Sequence, residues 1–187
     1  MSEKKTNLDK LEEITLRLTG EPIRLQTLSG LKIMDTPPEK IYDDITEMLA
    51  DTLDVPIALV SLVDETRQWF KSNYGLGVNE TSKDVAFCRH VIEAGKSEVL
   101  VVEDATKDNR FKENPLVTSD PNIKFYAGCP IVVDGQILGT LCAIDRKPRK
   151  LTEDDLHVLQ LLTNMVVLNL YIRKKIINIK ESKNGTK

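Results

Sequence analysis

FYAGCPIVVDGQILGTLCAIDR, residues 125–146, is the stretch whose reading decides the fold. Asp134-Gly135 separates two mostly apolar runs, and both residue types tolerate the positive φ angles of a type I′ turn, so the stretch predicts a β-hairpin. A two-residue turn sets Val133 opposite Gln136, Ile131 opposite Leu138 and Phe125 opposite Ile144. One face then carries Phe125, Ala127, Cys129, Ile131 and Val133 with Leu138, Thr140, Cys142 and Ile144. The other carries Tyr126, Gly128, Val132, Ile137, Gly139, Leu141 and Ala143. Neither face is polar, so both need cover, or one needs cover and the other a ligand. Gly128 and Gly139 leave room for a neighbour to approach closely.

Working outward, Pro56–Val63 is almost unbroken apolar and predicts a central strand, with Arg67–Tyr74 as its partner after the turn Asp64-Glu65-Thr66. Residues 76–86 read as a polar loop. Val85–Ala94 reads as a helix ended by Gly95, and Val99–Val102 as a short strand. Residues 103–123 form a long irregular section of the length that is functional or mobile in compact domains. Ahead of the strands, Thr36, Pro37 and Glu39 have the pattern of a capping box with proline at the first helical position. Ile41, Ile45, Met48, Leu49 and Leu53 give the helix that follows an apolar face. Leu8, Leu11, Ile14 and Leu18 predict an earlier amphipathic helix over 7–19, stopped by Gly20 and Pro22, and Leu25, Leu28 and Leu31 a second short one. After the hairpin, Thr152 caps a last helix whose first turn is acidic. The turns between strands are too short for parallel crossovers, so the order predicts α+β with an antiparallel sheet.

The chain has 187 residues, 41% hydrophobic and 29% charged, with a net charge of −3. That gives no reason to expect nucleic acid or an anionic membrane as partner. The start lacks the apolar core of a signal peptide and no apolar run approaches ~18 residues, which points to the cytoplasm. Three scattered cysteines read as free thiols in a reducing compartment.

TPPEKIYDDIT, PIALVSLVDETRQWFKSNYGL, AFCRHVI, VVEDATKDNRFKENPLV and the hairpin followed by KPR, in that order, resemble a GAF domain of the sort found in bacterial histidine kinases and diguanylate cyclases. The resemblance covers roughly residues 22–172, leaving 1–21 as a connector or dimer helix and 173–187 as the basic end of the last helix and a tail. It implies a GAF/PAS-like antiparallel sheet of five to six strands. The N- and C-terminal helices flank one face, and a helix and loop cover a pocket on the other. It implies a sensory or regulatory module in signal transduction and assigns no cofactor.

If Phe87–Ala94 and the loop 104–117 cover one sheet face, the candidate ligand-binding residues are Trp69, Phe70, Phe87, Cys88, His90, Asp104, Arg110, Phe111, Phe125 and Tyr126. Apolar walls with a few polar groups suit a small molecule. Phe111 and Phe125 closing the space into a packed core is the other outcome. Asp104 and Arg110 also suit pinning the loop. Cys88 and His90 diverge by about 200° on a helix and form neither a catalytic dyad nor a metal site. Their surroundings differ from the Cys-His attachment of a bilin in some relatives. Cys129 and Cys142 fall diagonally on one face, ~7–8 Å apart, too far for a disulfide. Free-methionine-sulfoxide reductases are built on a GAF domain and use cysteines over this sheet, but the cysteine blocks here do not match. His157 lacks the sequence context of a phospho-acceptor box, and Gly75 and Gly77 make no dinucleotide fingerprint. The expectation is therefore no enzyme.

The last helix carries two apolar stripes. Leu156, Leu159, Thr163, Val166, Leu170 and Ile177 form one; Leu161, Met165, Leu168, Ile172, Ile176 and Ile179 form the other. A helix lying on its own domain needs one, so the second predicts a homodimer through the terminal helices. A ligand-free dimerisation scaffold is the alternative to a small-molecule sensor, and an output domain or signalling partner fits either.

Overall fold

The computed structural model describes residues 20–184. The helix predicted over 7–19 lies outside the described residues. Residues 20–30 form a helix, α1, in which Gly20 and Pro22 are helical rather than a stop. Burial of Arg24 and Leu28 against the domain holds the segment helical, since tertiary packing outweighs local propensity. α2 (Lys40–Leu53), β1 (Ile57–Val63), β2 (Arg67–Tyr74), β3 (Glu80–Ser82), α3 (Phe87–Ala94), β4 (Leu100–Val102), α4 (Pro115–Thr118), β5 (Phe125–Val133), β6 (Gln136–Asp145) and α5 (Glu153–Asn184) follow. The loop read over 76–86 contains β3 and a 3₁₀ turn, Lys83–Val85.

The six strands form one sheet in the order β3-β2-β1-β6-β5-β4, antiparallel at every pair. One face is covered by α1, α2 and α5. Leu28, Tyr42, Ile45, Leu49, Leu159, Leu162, Val166 and Leu170 pack there on Val60, Leu62, Ile131 and Leu141. The opposite face is covered by α3, α4 and irregular chain.

The capping box at Thr36 does not form. α2 starts at Lys40 with Glu39 as its cap residue, because two consecutive prolines keep Thr36 and Pro37 out of helical geometry. Thr36 Oγ1 donates to Ile33 O instead. The buried face of α2 is turned relative to expectation: Tyr42, Thr46 and Ala50 join Ile45, Leu49 and Leu53, while Ile41 and Met48 are exposed. Thr152 does cap α5, its Oγ1 accepting from the Asp155 amide while Asp155 accepts from the Thr152 amide in return.

The hairpin turn is where it was expected, with positive φ at Asp134 and Gly135, but the register is not. Val133 faces Gln136 and Val132 faces Ile137; then a β-bulge sets Ile131 opposite Gly139 and Phe125 opposite Asp145. The extra residue, Leu138, turns the rest of β6 over. Leu141 and Ala143 join the helix-covered face, and Cys142 and Ile144 join the other. Cys129 and Cys142 thus lie on opposite faces, and all three cysteines are free and buried. A Cβ on Gly139 would meet Ser61 O at 1.9 Å, so that glycine does permit a close approach. The space over Gly128 is filled by the ring of Tyr126.

β2 carries a second bulge. Val60 pairs with Ser72 and Ser61 with Phe70, leaving Lys71 between them. Lys71 and Ser72 both turn to the helices as a result: Lys71 Nζ donates to Thr36 Oγ1 and Pro37 O and pairs with Glu39, while Ser72 donates to Asp43.

α5 contains an 18-residue window of mean hydropathy 1.3, enough by length and composition alone to cross a membrane. That is nearer to a span than the sequence reading allowed, although His157, Gln160, Asn164 and Asn169 interrupt it. The buried edge of α5 lies on the sheet. Its far part is tied down by Tyr171, whose hydroxyl accepts from the Asp134 amide at 3.0 Å, and by Arg173, which donates to Leu31 O, Lys32 O and Glu39. The second stripe, Leu161, Met165, Leu168, Ile172, Ile176 and Ile179, is between 43% and 59% exposed.

Candidate functional site

The face opposite the long helices holds a cavity of about 430 Å³. Strand alternation builds its floor. Ile57 and Leu59 of β1, Gln68 and Phe70 of β2, Tyr126 of β5 and Ile144 of β6 all point to this side. Its walls are Leu76–Val78, Glu80 and Thr81 on one side and Leu116, Asp120, Pro121 and Ile123 on the other, with Phe87 of α3 at the back.

The cover is held by local polar bonds. Asn114 accepts from the Leu116 amide and donates to Val85 O, joining α4 to the segment before α3. Ile123 N bonds Leu116 O, and Arg146 donates to Pro121 O. Asp104 accepts from the Thr106 amide and hydroxyl, and Asp108 from the Arg110 amide, which turns the chain before Phe111.

The ten predicted residues divide. Phe70, Phe87 and Tyr126 line the cavity. Phe111 is fully buried behind it, stacked on Phe87 with ring centroids 4.1 Å apart, and His90 meets Phe111 edge-on at 4.7 Å. This aromatic cluster closes the part of the cover where the cavity was expected and shifts the opening toward β3 and α4. Asp104 pairs with Lys107, and Arg110 pairs with Asp108 over the Phe111 ring; neither reaches the cavity. Trp69 and Phe125 lie on the helix-covered face. Each adjoins in sequence a residue that does line the cavity, and neighbouring strand residues point to opposite faces. The sequence reading missed Gln68, Thr81, Ile57, Leu59 and Ile144; period-2 alternation from Phe70 and along β1 was the signal for Gln68, Ile57 and Leu59.

Cys88 lies beside the cavity rather than in it. Its thiol donates to Gln68 Oε1 at 2.9 Å, and burial pushes it up to about 12. Burial also raises Cys129 and Cys142. None of the three is therefore a ready thiolate near neutral pH. Burial holds the His90 imidazole below its usual range. Tyr126 is raised by burial and shares a hydrogen bond with Thr140 Oγ1. No group of three or more His, Cys, Asp or Glu suited to a metal occurs among the described residues. Gln68 and Thr81 are the polar groups within the apolar walls, with Glu80 and Asp120 exposed at the mouth.

The GAF domain family matches residues 37–170. A cyclic di-GMP phosphodiesterase of Pseudomonas aeruginosa is 36% identical over 153 residues, 81% of this chain, which spans 26% of that protein's length. Among solved structures, the blue-light absorbing form of the PixJ GAF domain of Thermosynechococcus elongatus superposes with a TM-score of 0.61 at 15% identity, covering 78% of this chain and 90% of that one. A free methionine-R-sulfoxide reductase from Neisseria meningitidis does so at 0.58 and 14%, covering 80% and 87%. At these identities the two structures share the fold with this chain.

Proposed function

The chain belongs to the GAF domain family, and on that premise we propose that it is the small-molecule-sensing module of a bacterial signalling protein, paired with a second copy through α5. The observation that carries this reading is the cavity between the sheet and its irregular cover, which has the size and apolar walls of a small-molecule site. The similarity to a cyclic di-GMP phosphodiesterase more than three times as long supports a regulatory role beside a further, catalytic domain.

A route joins cavity to output helix. Gln68 and Phe70 of β2 border the cavity, and the next residue, Lys71, is buried on the other side against Glu39 at 2.7 Å. The same Glu39 oxygen accepts from Arg173 of α5 at 3.0 Å. A ligand that shifts β2 therefore pulls on α5 through one carboxylate. The exposed stripe of α5 supports a second copy as the receiver of that motion. The buried, protonated thiols do not support a thiol-dependent reductase.

A thermal-shift screen of nucleotides, amino acids and small aromatics tests the sensor. A hit present at 100 times its Kd adds about 2.7 kcal/mol of stability, and Leu116→Trp, which fills the cavity, should abolish it. A screen without hits, or hits indifferent to Leu116→Trp, favours the scaffold. Light scattering tests the pairing: the expected mass is twice 21.1 kDa, and Leu168→Glu with Ile172→Glu should give monomer.

A further inference from the structure

Two polar side chains stand side by side in the apolar wall of the cavity, each with bonding capacity left over. Gln68 and Thr81 are direct cross-strand partners on β2 and β3, so their side chains project next to one another on the cavity face. Gln68 is only 7% exposed. Its Oε1 accepts the Cys88 thiol, which fixes the amide with its NH₂ group left over, and that group has no hydrogen-bond partner among the described residues. Thr81 Oγ1 is buried and also has no partner. Buried polar groups are normally bonded; one buried unbonded hydroxyl, Thr81 Oγ1, beside an unengaged Gln68 amide NH₂ on the cavity wall marks where a ligand's polar atoms would sit.

Charge narrows the class. None of the described residues that line the cavity is Lys, Arg or His, while Glu80 and Asp120 are at its mouth. The nearby guanidinium of Arg67 is already taken by Asp35, Asp64 and Glu80. Arg146, exposed and outside the lining, is anchored through Nε to Pro121 O. A phosphate or carboxylate entering here would lose its hydration, meet no Lys, Arg or His in the described lining and face Asp120, the mouth carboxylate that Arg67 does not neutralise.

Resting on the sensor reading above, we infer that the cavity takes an uncharged or singly cationic molecule of one or two rings that offers an acceptor oxygen to the Gln68 amide and a polar atom to Thr81, and that it rejects phosphates and carboxylates. Four probes separate the possibilities by saturation-transfer NMR on the folded chain. Indole-3-acetamide, tryptamine and indole-3-acetate share one ring system and differ in charge; adenosine 3′,5′-cyclic monophosphate carries a phosphate.

The acetamide is expected to bind at least about tenfold more tightly than the acetate, with no transfer to the cyclic nucleotide. Gln68→Leu should weaken the acetamide by about tenfold and leave tryptamine less affected. Thr81→Val, on an edge strand, gives a second variant with the same sign if Gln68→Leu does not fold. Binding of the acetate or the cyclic nucleotide as tight as that of the acetamide overturns the ligand class and leaves the sensor reading standing. Silence from all four probes overturns the class too, and the sensor reading falls only if the wider screen is also empty.

Discussion

The two faces of the sheet use the same six strands to different ends. Three helices cover one face, and their Leu, Ile and Val side chains interdigitate with the strand residues beneath. One eight-residue helix, one turn of α4 and long irregular connections cover the other, and a cavity of about 430 Å³ remains between them and the strands. Regular helices bring side chains at fixed spacing onto a pleated surface, so they can fill it. An irregular cover follows its own hydrogen bonds, such as those of Asp104, Asp108 and Asn114, and leaves space where these lift it from the strands. The closely packed core resides on one face, and the cavity on the other.

The largest expected effect tests that division directly. Leu49→Ala, at a fully buried site on the sheet-facing side of α2, should cost about 3 kcal/mol in urea denaturation. Ile144→Ala, on the cavity floor, should cost about 1–2 kcal/mol, because that side chain already lacks neighbours on one side. Equal losses would remove the distinction between the faces.

Next comes the contact that crosses the sheet's helical layer. Glu39→Gln takes away the carboxylate that pairs with the fully buried Lys71 ammonium, leaving it Thr36 Oγ1, Pro37 O and the Tyr42 ring, and should cost about 2 kcal/mol. Glu39→Gln combined with Lys71→Met should be less destabilised than Glu39→Gln alone, since no buried charge is then orphaned. A double variant at least as unstable would argue against Lys71 as the buried cation of this contact.

The smallest effect concerns the edge where the two covers meet. Glu21 on α1 binds Arg24, which donates to Val63 O, and also binds Lys83 ahead of α3. The hydrogen bond from Arg24 holds its carboxyl at about 2, below the usual 4.5. The unfolded chain therefore takes up this proton first, so the contribution is complete above about pH 4.5 and is lost as pH falls toward 2. Between pH 5 and pH 2.5 the wild type should lose more stability than Glu21→Gln, and identical acid profiles would remove Glu21 from the account.

Much of this was legible in residue order. The Asp134-Gly135 turn, the strand pairs beside it and the two stripes of α5 follow from local rules that the folded chain does not override. The bulges were not legible. Nothing in Ile137-Leu138-Gly139 says that Leu138 will stand unpaired, yet that residue decides which face Cys142 and Ile144 occupy. The aromatic pairs misled for a simpler reason. Trp69 with Phe70 and Phe125 with Tyr126 look like clusters in sequence, and a strand separates each pair across its thickness. Gln68 and Thr81 became neighbours only when β3 added to the sheet edge, from a stretch whose polar composition reads as loop.

The clamp on α5 has a mechanical consequence. Arg173 is bonded to the α1–α2 connection through backbone carbonyls, Lys174 pairs with Asp134, and the helix continues to Asn184 with an exposed ion pair, Glu181 to Lys32, tying it back to that connection. Those eleven residues make an arm of about 16 Å. A tilt of about 10° at its root carries the tip through roughly 3 Å, more than the 1–2 Å helix shifts that separate states in switching proteins. The steps along the exposed stripe, 4, 3, 4, 4 and 3 residues from Leu161 to Ile179, average the 3.6 of an undistorted helix, a spacing that imposes no supercoil of its own. A small displacement at Glu39 would thus grow along α5 toward Asn184, opposed there only weakly by the exposed Lys32–Glu181 pair.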